Sequence, residues 1–563
     1  MRNSPDGGDA ILQAFRSLNI DYVMSSPGSE WGPVWEAMAH QQLSNEPGPV
    51  YLTCAHETLA VDLAMGYTQI TGRMQAVMLH TGVGLLQGSM GIEGALRGAI
   101  PMVILSGEAL SFGDDPELDP GFQWQGILNQ VGGPSRLVEP LVKWSNQAGS
   151  ISTLHQQVVS AGEMAQRTPR APVYMSVPIE VMKQPWSAPE SLRTAPDAPI
   201  VTATPDDIAA FAQRLSEAAC PVIIAEEAGR TAEGFYALVE LAEKLAIPVV
   251  EGRFAPYSNF PRDHALFLGS GRPDVIDEAD LVVTIACRQP WYPLKDAPKR
   301  AHVLAIDDTP FRDHVVYQPS TAERFLEGDL ATNLARLAAA VPAPDGATLA
   351  ARRARWEEAM KASDEANAAA IAKDREADTI SPSLLFAMLN EAAPDDTIYV
   401  DETITHRPFL MRHLQPHGPL SYFRVHGGLG QAMGVALGVK LGAGERMVIS
   451  TMGDGTFMYN PAVQALAFAL KHGLATLTVV SNNHGYNAMR KDQMGYYPDG
   501  VAAKSGLYLG HPITEFDYAE LAAPFGAYGA KAETPIELEK VLDEAVAAVK
   551  GGRSALLNVS LNA

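Results

Sequence analysis

Cysteine is scarce in this chain: its 563 residues include only Cys54, Cys220 and Cys287. The three lie too far apart in sequence to form a metal-ligand motif, and they cannot supply a disulfide framework for a chain of this length. Cys54 and Cys287 fall in apolar, strand-like runs, which predicts that both thiols are buried. A reducing compartment fits this usage, and we expect the protein to be cytoplasmic.

Long hydrophobic runs and basic clusters are also missing. No apolar run reaches the roughly 18 residues that span a bilayer, and the first residues, MRNSPDGGDA, lack the hydrophobic region of a signal peptide. Lysine and arginine number 42 against 65 aspartate and glutamate residues, a formal net charge of −23. Because this charge repels phosphate backbones and anionic lipids, we expect neither nucleic acid nor a membrane as a partner.

The chain is rich in short β-branched runs that alternate with alanine-rich helical stretches, for example PVIIAEE, LVVTIA, HVLAID, TIYVD and TLTVVSNN. Continuously apolar strands separated by helices are typical of parallel sheets covered on both faces, so the fold class is α/β with doubly wound parallel sheets. Two proline-rich or charged stretches, 183–205 and 341–383, divide the chain. We expect domains at 1–185, 200–340 and 381–563, with a linker at 341–380.

The stretch MGDGTFMYNP, residues 452–461, follows the apolar run MVIST and precedes a helix that should begin near Asn460-Pro461 and end at Gly473. The next strand, TLTVVS, leads into Asn482-Asn483. In a right-handed β-α-β unit both strands point the same way, so Asp454 and the asparagine pair should emerge at one edge of the sheet. Carboxylate and amide oxygens are ligands for Mg²⁺ or Ca²⁺.

The glycines of this stretch add a second feature. Gly455 permits close approach of an anion to the backbone, and the amides of Thr456 and its neighbours could meet a diphosphate. The alternative is a plain glycine turn with a solvated aspartate. A dinucleotide site fits less well, because GVGLLQG and GGLGQAMG are each one residue too long for the G-x-G-x-x-G fingerprint and neither is clearly followed by an acid for the ribose.

GDG at 453–455 with NN at 482–483 resembles the signature of thiamine diphosphate enzymes, and the domain order resembles the acetolactate synthase, benzoylformate decarboxylase and pyruvate oxidase group. The resemblance covers essentially the whole chain. It implies a pyrimidine-binding domain at 1–185, a central Rossmann-like domain at 200–340 and a domain for pyrophosphate and Mg²⁺ at 381–563.

The resemblance also implies particular ligands in the last domain. Mg²⁺ would be held by the side chains of Asp454 and Asn483 and the carbonyl of Gly485. The matching diphosphate contacts are Thr403 and Thr405 in the turn DETIT, together with Gly453, Gly455 and Thr456. Ile404 occupies a position in that turn that is often polar in the family.

HGGLG, residues 426–430, is similar to the family segment that holds the two cofactor rings in a V shape. By position, Leu429 would separate the rings, and the carbonyl of Gly427 would accept a hydrogen bond from the 4′-amino group. A core leucine in a glycine turn is the alternative interpretation.

The reactive cofactor is a carbanion at C2, and its formation requires a carboxylic acid that hydrogen-bonds N1′ of the aminopyrimidine ring. The stretch VYLTCAHETLAVDLAMGY resembles the family segment that carries this acid, at Glu57. A glutamate in a first helical turn can also simply complement the helix dipole.

Further matches concern the substrate. SSPGSEWG and LHTGVG resemble benzoylformate decarboxylase segments with a substrate-facing serine and histidine, at Ser29 and His80, and His80 could relay protons. Gln123, in FQWQG, matches a glutamine near the cofactor in synthases. The stretch after Asn483 resembles a segment that caps the pocket, which makes pocket residues of Met489, Arg490 and Gln493.

The resemblance implies a homodimer or homotetramer with active sites at subunit interfaces, acting on a keto acid, hydroxy ketone or aldehyde as a decarboxylase or carboligase. FAD is not expected, because ACRQPWYP replaces the glycine-arginine pattern of flavin-binding members. A 2-hydroxyacyl-CoA lyase and a cyclic diketone hydrolase are enzymatic alternatives. A non-catalytic regulatory relative is another, although such a protein should have lost Glu57 or Asp454.

Overall fold

The computed structural model describes residues 4–111, 120, 133–312 and 321–562. In these residues the chain forms three six-stranded sheets, and all strand pairs within them are parallel. Helices cover the sheets, so strands such as Met102–Glu108 and Pro221–Ala225 are buried along their whole length. The expected α/β class with three doubly wound parallel sheets is confirmed.

The first sheet belongs to the amino-terminal part of the chain. Its strands are β1 (Tyr22–Ser25), β2 (Val50–Thr53), β3 (Gln75–Leu79), β4 (Met102–Glu108), β5 (Trp144–Gln147) and β6 (Val173–Pro178). The helices are α1 (Gly7–Ser17), α2 (Gly32–Leu43), α3 (Glu57–Thr71), α4 (Val83–Arg97), α5 (Pro134–Val138), α6 (Ile151–Gln166) and α7 (Ile179–Met182), with 3₁₀ turns at Ser29–Trp31 and Glu139–Leu141. The strand order is β2-β1-β3-β4-β6-β5.

The second sheet follows in the middle of the chain. Its strands are β7 (Pro221–Ala225), β8 (Val249–Glu251), β9 (Phe267–Ser270), β10 (Leu281–Ile285), β11 (His302–Asp307) and β12 (Arg324–Glu327). The helices are α8 (Pro205–Glu217), α9 (Ala232–Leu245), α10 (Pro273–Glu278), α11 (Leu330–Ala340) and the long charged helix α12 (Gly346–Arg375), with 3₁₀ turns at Ala228–Arg230 and Leu294–Asp296. The strand order is β12-β11-β10-β7-β8-β9.

The third sheet belongs to the carboxy-terminal part. Its strands are β13 (Ile398–Glu402), β14 (Tyr422–Arg424), β15 (Val448–Gly453), β16 (Leu477–Asn482), β17 (Tyr528–Ala532) and β18 (Ala555–Ser560). The helices are α13 (Pro382–Ala392), α14 (Arg407–His413), α15 (Ala432–Ala443), α16 (Asp454–Phe457), α17 (Ala462–His472), α18 (Asn487–Tyr496), α19 (Val501–Ser505) and α20 (Pro535–Lys550), with a 3₁₀ segment at Tyr518–Phe525. The strand order is β14-β13-β15-β16-β18-β17.

Each sheet has a point near its centre at which the winding of the chain changes direction. It lies between β1 and β3 in the first sheet, between β7 and β10 in the second, and between β13 and β15 in the third. Loops that leave the carboxyl ends of such strand pairs border a crevice, which is where open parallel sheets bind ligands. The topology therefore provides three candidate crevices.

The chain divides into two compact units. The first comprises Met1–Pro199, Val425–Gly444 and Pro461–Phe468, and the second comprises Ile200–Arg424, Glu445–Asn460 and Ala469–Ala563. Cys54 and Cys287 are buried, as their apolar surroundings in the sequence predicted. Among the described helices, none combines the length and the apolar character that crossing a bilayer requires.

Within the first unit, α3 and α15 cross at unusually close range. A Cβ atom built on Gly66 would lie 2.1 Å from the carbonyl oxygen of Val435, and one on Gly438 would lie 2.1 Å from the carbonyl oxygen of Leu63. Both neighbours are backbone atoms, so a larger residue cannot be accommodated by side-chain rotation. The two glycines therefore set the distance between these helices.

Replacement of Gly438 by alanine should force the two helices apart and lower the free energy of unfolding by about 1–3 kcal/mol, the usual cost of overpacking. Urea denaturation followed by circular dichroism measures this change. Gly495→Ala is the matched control, because Gly495 also lies in a helix but a Cβ there would meet no atom within 4 Å. Equal stability of both variants would show that the close crossing is not required.

Candidate functional site

The crevice of the first sheet contains a carboxylate–imidazole pair. Glu30 lies in the 3₁₀ turn that follows β1, and His80 comes directly after β3. Nδ1 of His80 lies 2.8 Å from Oε2 and 2.9 Å from Oε1 of Glu30, and the amide of Thr81 donates to Oε1 at 2.7 Å. The Glu30 side chain is only 9% exposed. The backbone amide of Thr81, just after β3, thus helps to hold the pair at the switch point of the sheet.

The hydrogen bond from His80 to the Glu30 carboxylate raises the pKa of His80, against the opposing effect of burial, and the nearby charge of Glu57 raises it further. Because Nδ1 faces the carboxylate, Nε2 is the ring nitrogen left to exchange a proton. A Cβ on Gly107 would lie 2.0 Å from Cγ of Glu30, so glycine is needed there for the carboxylate to fit.

Sequence reasoning selected Ser29 in this turn and missed Glu30, its neighbour. Ser29 is exposed at the start of the turn, whereas Glu30 turns inward onto His80. The missed signal was an acid in the turn after one strand and a histidine directly after another strand. A parallel sheet brings both positions to the same edge.

Glu57 is the first residue of α3 and is half-buried. Its neighbour His56 caps the helix, because Nδ1 of His56 accepts from the amide of Thr58 at 3.2 Å. A Cβ on Gly84, near the start of α4, would lie 3.4 Å from Oε1 of Glu57 and 2.8 Å from Cβ of His80. Gly84 therefore lets α4 approach both side chains, which places Glu57 and His80 on either side of one small residue.

The loop 426–430 also belongs to the first unit and lies against α4. Gly427 and Gly430 have φ of +82° and +105°, in the region that favours glycine. A Cβ on Gly427 would lie 3.0 Å from Oε2 of Glu93, and one on Gly428 would lie 2.5 Å from Sδ of Met90. Leu429 is half-buried at the tip of this loop.

Asp454 and Asn483 lie together at the carboxyl edge of the third sheet, beside its crevice. Strands β15 and β16 are paired with Gly453 opposite Ser481, so the residues after them leave the same sheet edge. The amide of Gly485 donates to Oδ2 of Asp454 at 2.8 Å, and φ of Gly485 is +151°. Burial raises the pKa of the Asp454 carboxyl, while hydrogen bonds from the amides of Gly455 and Gly485 lower it.

The side-chain oxygen of Asn483 is an unusual feature of this edge. Oδ1 is buried and accepts no hydrogen bond from any residue that the structure describes. A buried acceptor without a donor is destabilising, and a cation would satisfy it. Nowhere in the described ranges do three or more His, Cys, Asp or Glu residues form a metal-binding group. The residues present nevertheless fit Mg²⁺, with one carboxylate and neutral oxygens, and leave positions for diphosphate.

His406 fixes the orientation of that asparagine. Oγ of Ser481 donates to the carbonyl of Met452 at 3.0 Å and faces Nδ1 of His406 at 3.3 Å. Nδ1 therefore carries the proton, so Nε2 can accept from Nδ2 of Asn483 at 3.1 Å. Burial lowers the pKa of His406 to about 4, which keeps the ring neutral. The Asn483 amide is thereby held with its oxygen toward the crevice, and sequence reasoning had not identified His406.

The remaining predicted diphosphate residues border the same crevice. Thr403 is buried, its amide donates to Oδ1 of Asp401 at 2.7 Å, and its hydroxyl lies 3.5 Å from that of Thr451. Thr405 is half-buried and Thr456 is buried.

Two glycines complete this border. A Cβ on Gly455 would lie 2.6 Å from the ring of Tyr486, whereas one on Gly453 would meet nothing within 4 Å. Gly455 is therefore required for packing, and the backbone at Gly453 is open.

The predicted pocket residues lie together on α18, a helix in which no residue is buried. Met489 is exposed, Gln493 is half-buried, and the guanidinium of Arg490 lies 5.0 Å from the ring centre of Tyr508. Gln123 lies outside the described residues.

Comparison with protein families identifies three matches in the order of the three sheets. The N-terminal TPP binding domain of thiamine pyrophosphate enzymes matches residues 5–115, the central domain matches 208–337 and the C-terminal TPP binding domain matches 405–559. Thiamine pyrophosphate is another name for thiamine diphosphate. Together the three models match well over half of the chain.

Similar proteins include decarboxylases and synthases. Benzoylformate decarboxylase from Pseudomonas aeruginosa is 27% identical over 87% of this chain and 88% of its own length. The acetolactate synthase large subunit from Haemophilus influenzae is 24% identical over 96% of this chain and 92% of its own length.

Among solved structures, a thiamine diphosphate-dependent 4-hydroxybenzoylformate decarboxylase from Rhodococcus jostii is similar in fold. It has a TM-score of 0.81 and 22% identity over 99% of each chain. Taken with the three domain matches in order along the sequence, these similarities show that the chain belongs to the thiamine pyrophosphate enzyme family.

Proposed function

We propose that this thiamine diphosphate-dependent enzyme uses Mg²⁺ and acts as a 2-keto acid decarboxylase or carboligase. The supporting observation is that Glu57 and the Glu30–His80 pair approach each other around Gly84. An acid for the cofactor and a protonated imidazole for the reacting carbon are the two groups that such a reaction requires. The names of the decarboxylase and synthase relatives support the same class of substrate.

When bound, thiamine diphosphate supplies a nucleophilic carbon that adds to a carbonyl group. Glu57 would donate a hydrogen bond to N1′ of its aminopyrimidine ring. Leu429 would separate the two rings, and the carbonyl of Gly427 would accept from the 4′-amino group. The packing of 426–430 on α4 supports these roles, because it fixes the loop backbone.

In the second unit, Asp454, Asn483 and the carbonyl of Gly485 would hold Mg²⁺. The unsatisfied Oδ1 of Asn483 supports this assignment. Diphosphate oxygens would meet a group of backbone and hydroxyl donors, which are those of Thr403, Thr405, Gly453, Gly455 and Thr456. His406 would act as a positioning residue, since it contacts Asn483 and not the reacting atoms.

His80 would hold a proton at Nε2, transfer it to the reacting carbon, and accept a proton from the hydroxyl group that becomes the product carbonyl. Loss of CO₂ from a keto acid leaves a carbon that must gain a proton or join a second carbonyl compound, such as an aldehyde. Glu30 raises the pKa of His80 and so favours its protonated form, and Ser29 and Gln123 would contact the substrate. Met489, Arg490 and Gln493 would line the pocket, with Arg490 available to a carboxylate.

The assembly we propose is a homodimer or homotetramer, on the strength of the family resemblance, and the cytoplasm is the location that the cysteine usage favours. A hydroxy ketone is an equivalent substrate, because cleavage of its C–C bond is the reverse of carboligation. Sedimentation velocity of the purified protein measures the assembly directly, and a monomer at micromolar concentration would contradict this part of the proposal.

Glu57→Gln should abolish most activation of the cofactor, because glutamine cannot deliver the proton to N1′. Exchange of deuterium at C2 of bound thiamine diphosphate should slow by about 10²-fold or more, the usual contribution of general acid–base catalysis. Glu36→Gln, at an exposed residue of α2, is the control. Wild-type exchange in Glu57→Gln, with the cofactor still bound, would remove Glu57 from this role.

The activity should depend on pH through His80. If the proton on His80 is used, kcat falls as pH rises through the raised pKa of this residue. Glu30→Gln removes the cause of that shift, so the alkaline limb should move to lower pH. The pH profile of kcat measures this, and an alkaline limb that is identical in Glu30→Gln and in wild type would argue against a proton held on His80.

His406→Leu should weaken Mg²⁺ binding by about 10- to 100-fold, as loss of a residue that orients a metal ligand commonly does. Turnover at saturating Mg²⁺ should change much less. His406→Gln, whose amide oxygen can accept from Asn483, should restore part of the affinity, and His417→Gln is an exposed control. Calorimetric titration with Mg²⁺ in the presence of thiamine diphosphate tests this, and unchanged affinity in His406→Leu would contradict the positioning role.

A further inference from the structure

The second unit contains a cavity of about 850 Å³. Of the residues proposed above to contact the cofactor, only Thr403 and Thr405 line it. Its walls come from loops after β8, β9 and β10, from helix α12 and from the segments around α14 and β14. Aromatic and arginine side chains are prominent in the lining, among them Arg253, Phe254, Trp291, Tyr292 and Arg424. Such a mixture suits a ligand with an apolar body and a negative charge.

Two of the arginines that line the cavity are already neutralised. Arg262 pairs with Glu251 at 3.1 Å and donates to the carbonyl of Leu414 at 3.0 Å. Arg407 lies 3.4 Å from Asp401 and donates to the carbonyls of Arg253 and Ala255. Both side chains are buried, so these cations have a structural role and are not available to a ligand.

Arg424 and Arg253 differ from them. The guanidinium of Arg424 lies 5.3 Å from the ring centre of Phe254, and that of Arg253 lies 5.9 Å from the same ring and 5.6 Å from Tyr292. Across the described ranges, neither guanidinium has a hydrogen-bond acceptor. Burial and the neighbouring Arg407 lower the pKa of Arg424. Arg424 is half-buried and lies close enough to Asp401 and Glu226 for their charges to act on it. Its guanidinium donors make no hydrogen bond within the described residues, and an anion would satisfy them.

The neighbouring crevice of the second sheet is closed to a dinucleotide by its own side chains. Arg288 donates to both carboxylate oxygens of Asp307, at 2.7 and 3.1 Å, and lies 3.5 Å from Glu227. Glu227 also accepts from Arg230 at 3.2 Å and Arg312 at 3.3 Å. Ion pairs therefore occupy the strand ends at the switch point, where open parallel sheets bind a pyrophosphate.

We propose that the cavity binds a small carboxylate, with its apolar body against Phe254, Trp291 and Tyr292 and its carboxylate between Arg253 and Arg424. The proposal extends the proposed function, because Thr403 and Thr405 line the same cavity. The carboxylate belongs either to the distal end of the substrate or to a separate regulatory acid. The chemistry of recognition is the same in both cases.

Benzoate and benzamide are matched probes, since they share a ring and differ in charge. Calorimetry on the full chain loaded with thiamine diphosphate and Mg²⁺ should show benzoate binding and at least tenfold weaker benzamide binding. Arg424→Met should weaken benzoate binding about tenfold or more, with Arg300→Met, at an exposed arginine, unchanged. If Arg424→Met does not fold, Arg253→Met replaces it, because Arg253 is exposed.

Equal binding of benzoate by wild type and the arginine variants would overturn the proposal. Adenosine monophosphate is the nucleotide probe. If it binds more tightly than benzoate and this binding is lost in Arg424→Met, the cavity is a nucleotide site and the proposal is overturned.

Kinetics separate the two sources of the carboxylate. If the substrate carries it, 4-carboxyphenylglyoxylate should be used better than phenylglyoxylate, and Arg424→Met should lower kcat/KM at least tenfold for the former only. If a separate acid carries it, benzoate should change kcat without competing with substrate. Benzoate binding that depends on Arg424 in a protein that turns over no keto acid would support the cavity site and reject the proposed function.

Discussion

The parallel pairing of strands is the constraint on which the rest of this protein depends. It sends the carboxyl ends of all strands in a sheet to one edge, so residues far apart in sequence meet there without any direct link between them. Asp454 and Asn483 meet in this way after β15 and β16, and Glu30 and His80 meet after β1 and β3. The chemistry of the molecule is accordingly concentrated at strand ends.

All three sheets are parallel, the first and third with equivalent strand orders and the second with a different one, and their crevices hold different side chains. The first holds a hydrogen-bonded acid–imidazole pair, and the third holds Asp454 with the unsatisfied oxygen of Asn483. In the second, ion pairs among Glu227, Arg288 and Asp307 fill the space. Burial raises the pKa of the adjacent Glu226 to about 7, so this crevice is closed by groups that are costly to bury and that stabilise one another. The side chains that end the strands thus differ from sheet to sheet: an acid–imidazole pair in the first, an ion-pair network in the second, and a carboxylate beside an unsatisfied amide oxygen in the third.

Glycines determine how closely neighbouring helices, loops and side chains approach each other. Gly66 and Gly438 bring α3, which begins at Glu57, against α15, which follows the loop 426–430. Gly84 allows α4 to approach both Glu57 and His80, and Gly107 makes room for Glu30. These glycines have no side chain of their own, yet each allows a close approach between the elements that hold Glu57, His80, Glu30 and the loop 426–430. His406 also fixes a geometry, because its hydrogen bonds determine which atom of Asn483 faces the crevice.

The sequence by itself determined the α/β class, the strands, the residues at strand ends and the family, because apolar periodicity and short glycine motifs are local properties of the chain. It also identified Glu57, Asp454 and Asn483 as candidates through motifs that need no knowledge of packing. Only the tertiary structure decided that Glu30 contacts His80, that His406 orients Asn483, and that Arg407 has an acceptor whereas Arg424 has none within the described residues. These are pairings between segments distant in sequence, and a hydrogen bond depends on distance and direction that composition and spacing do not contain.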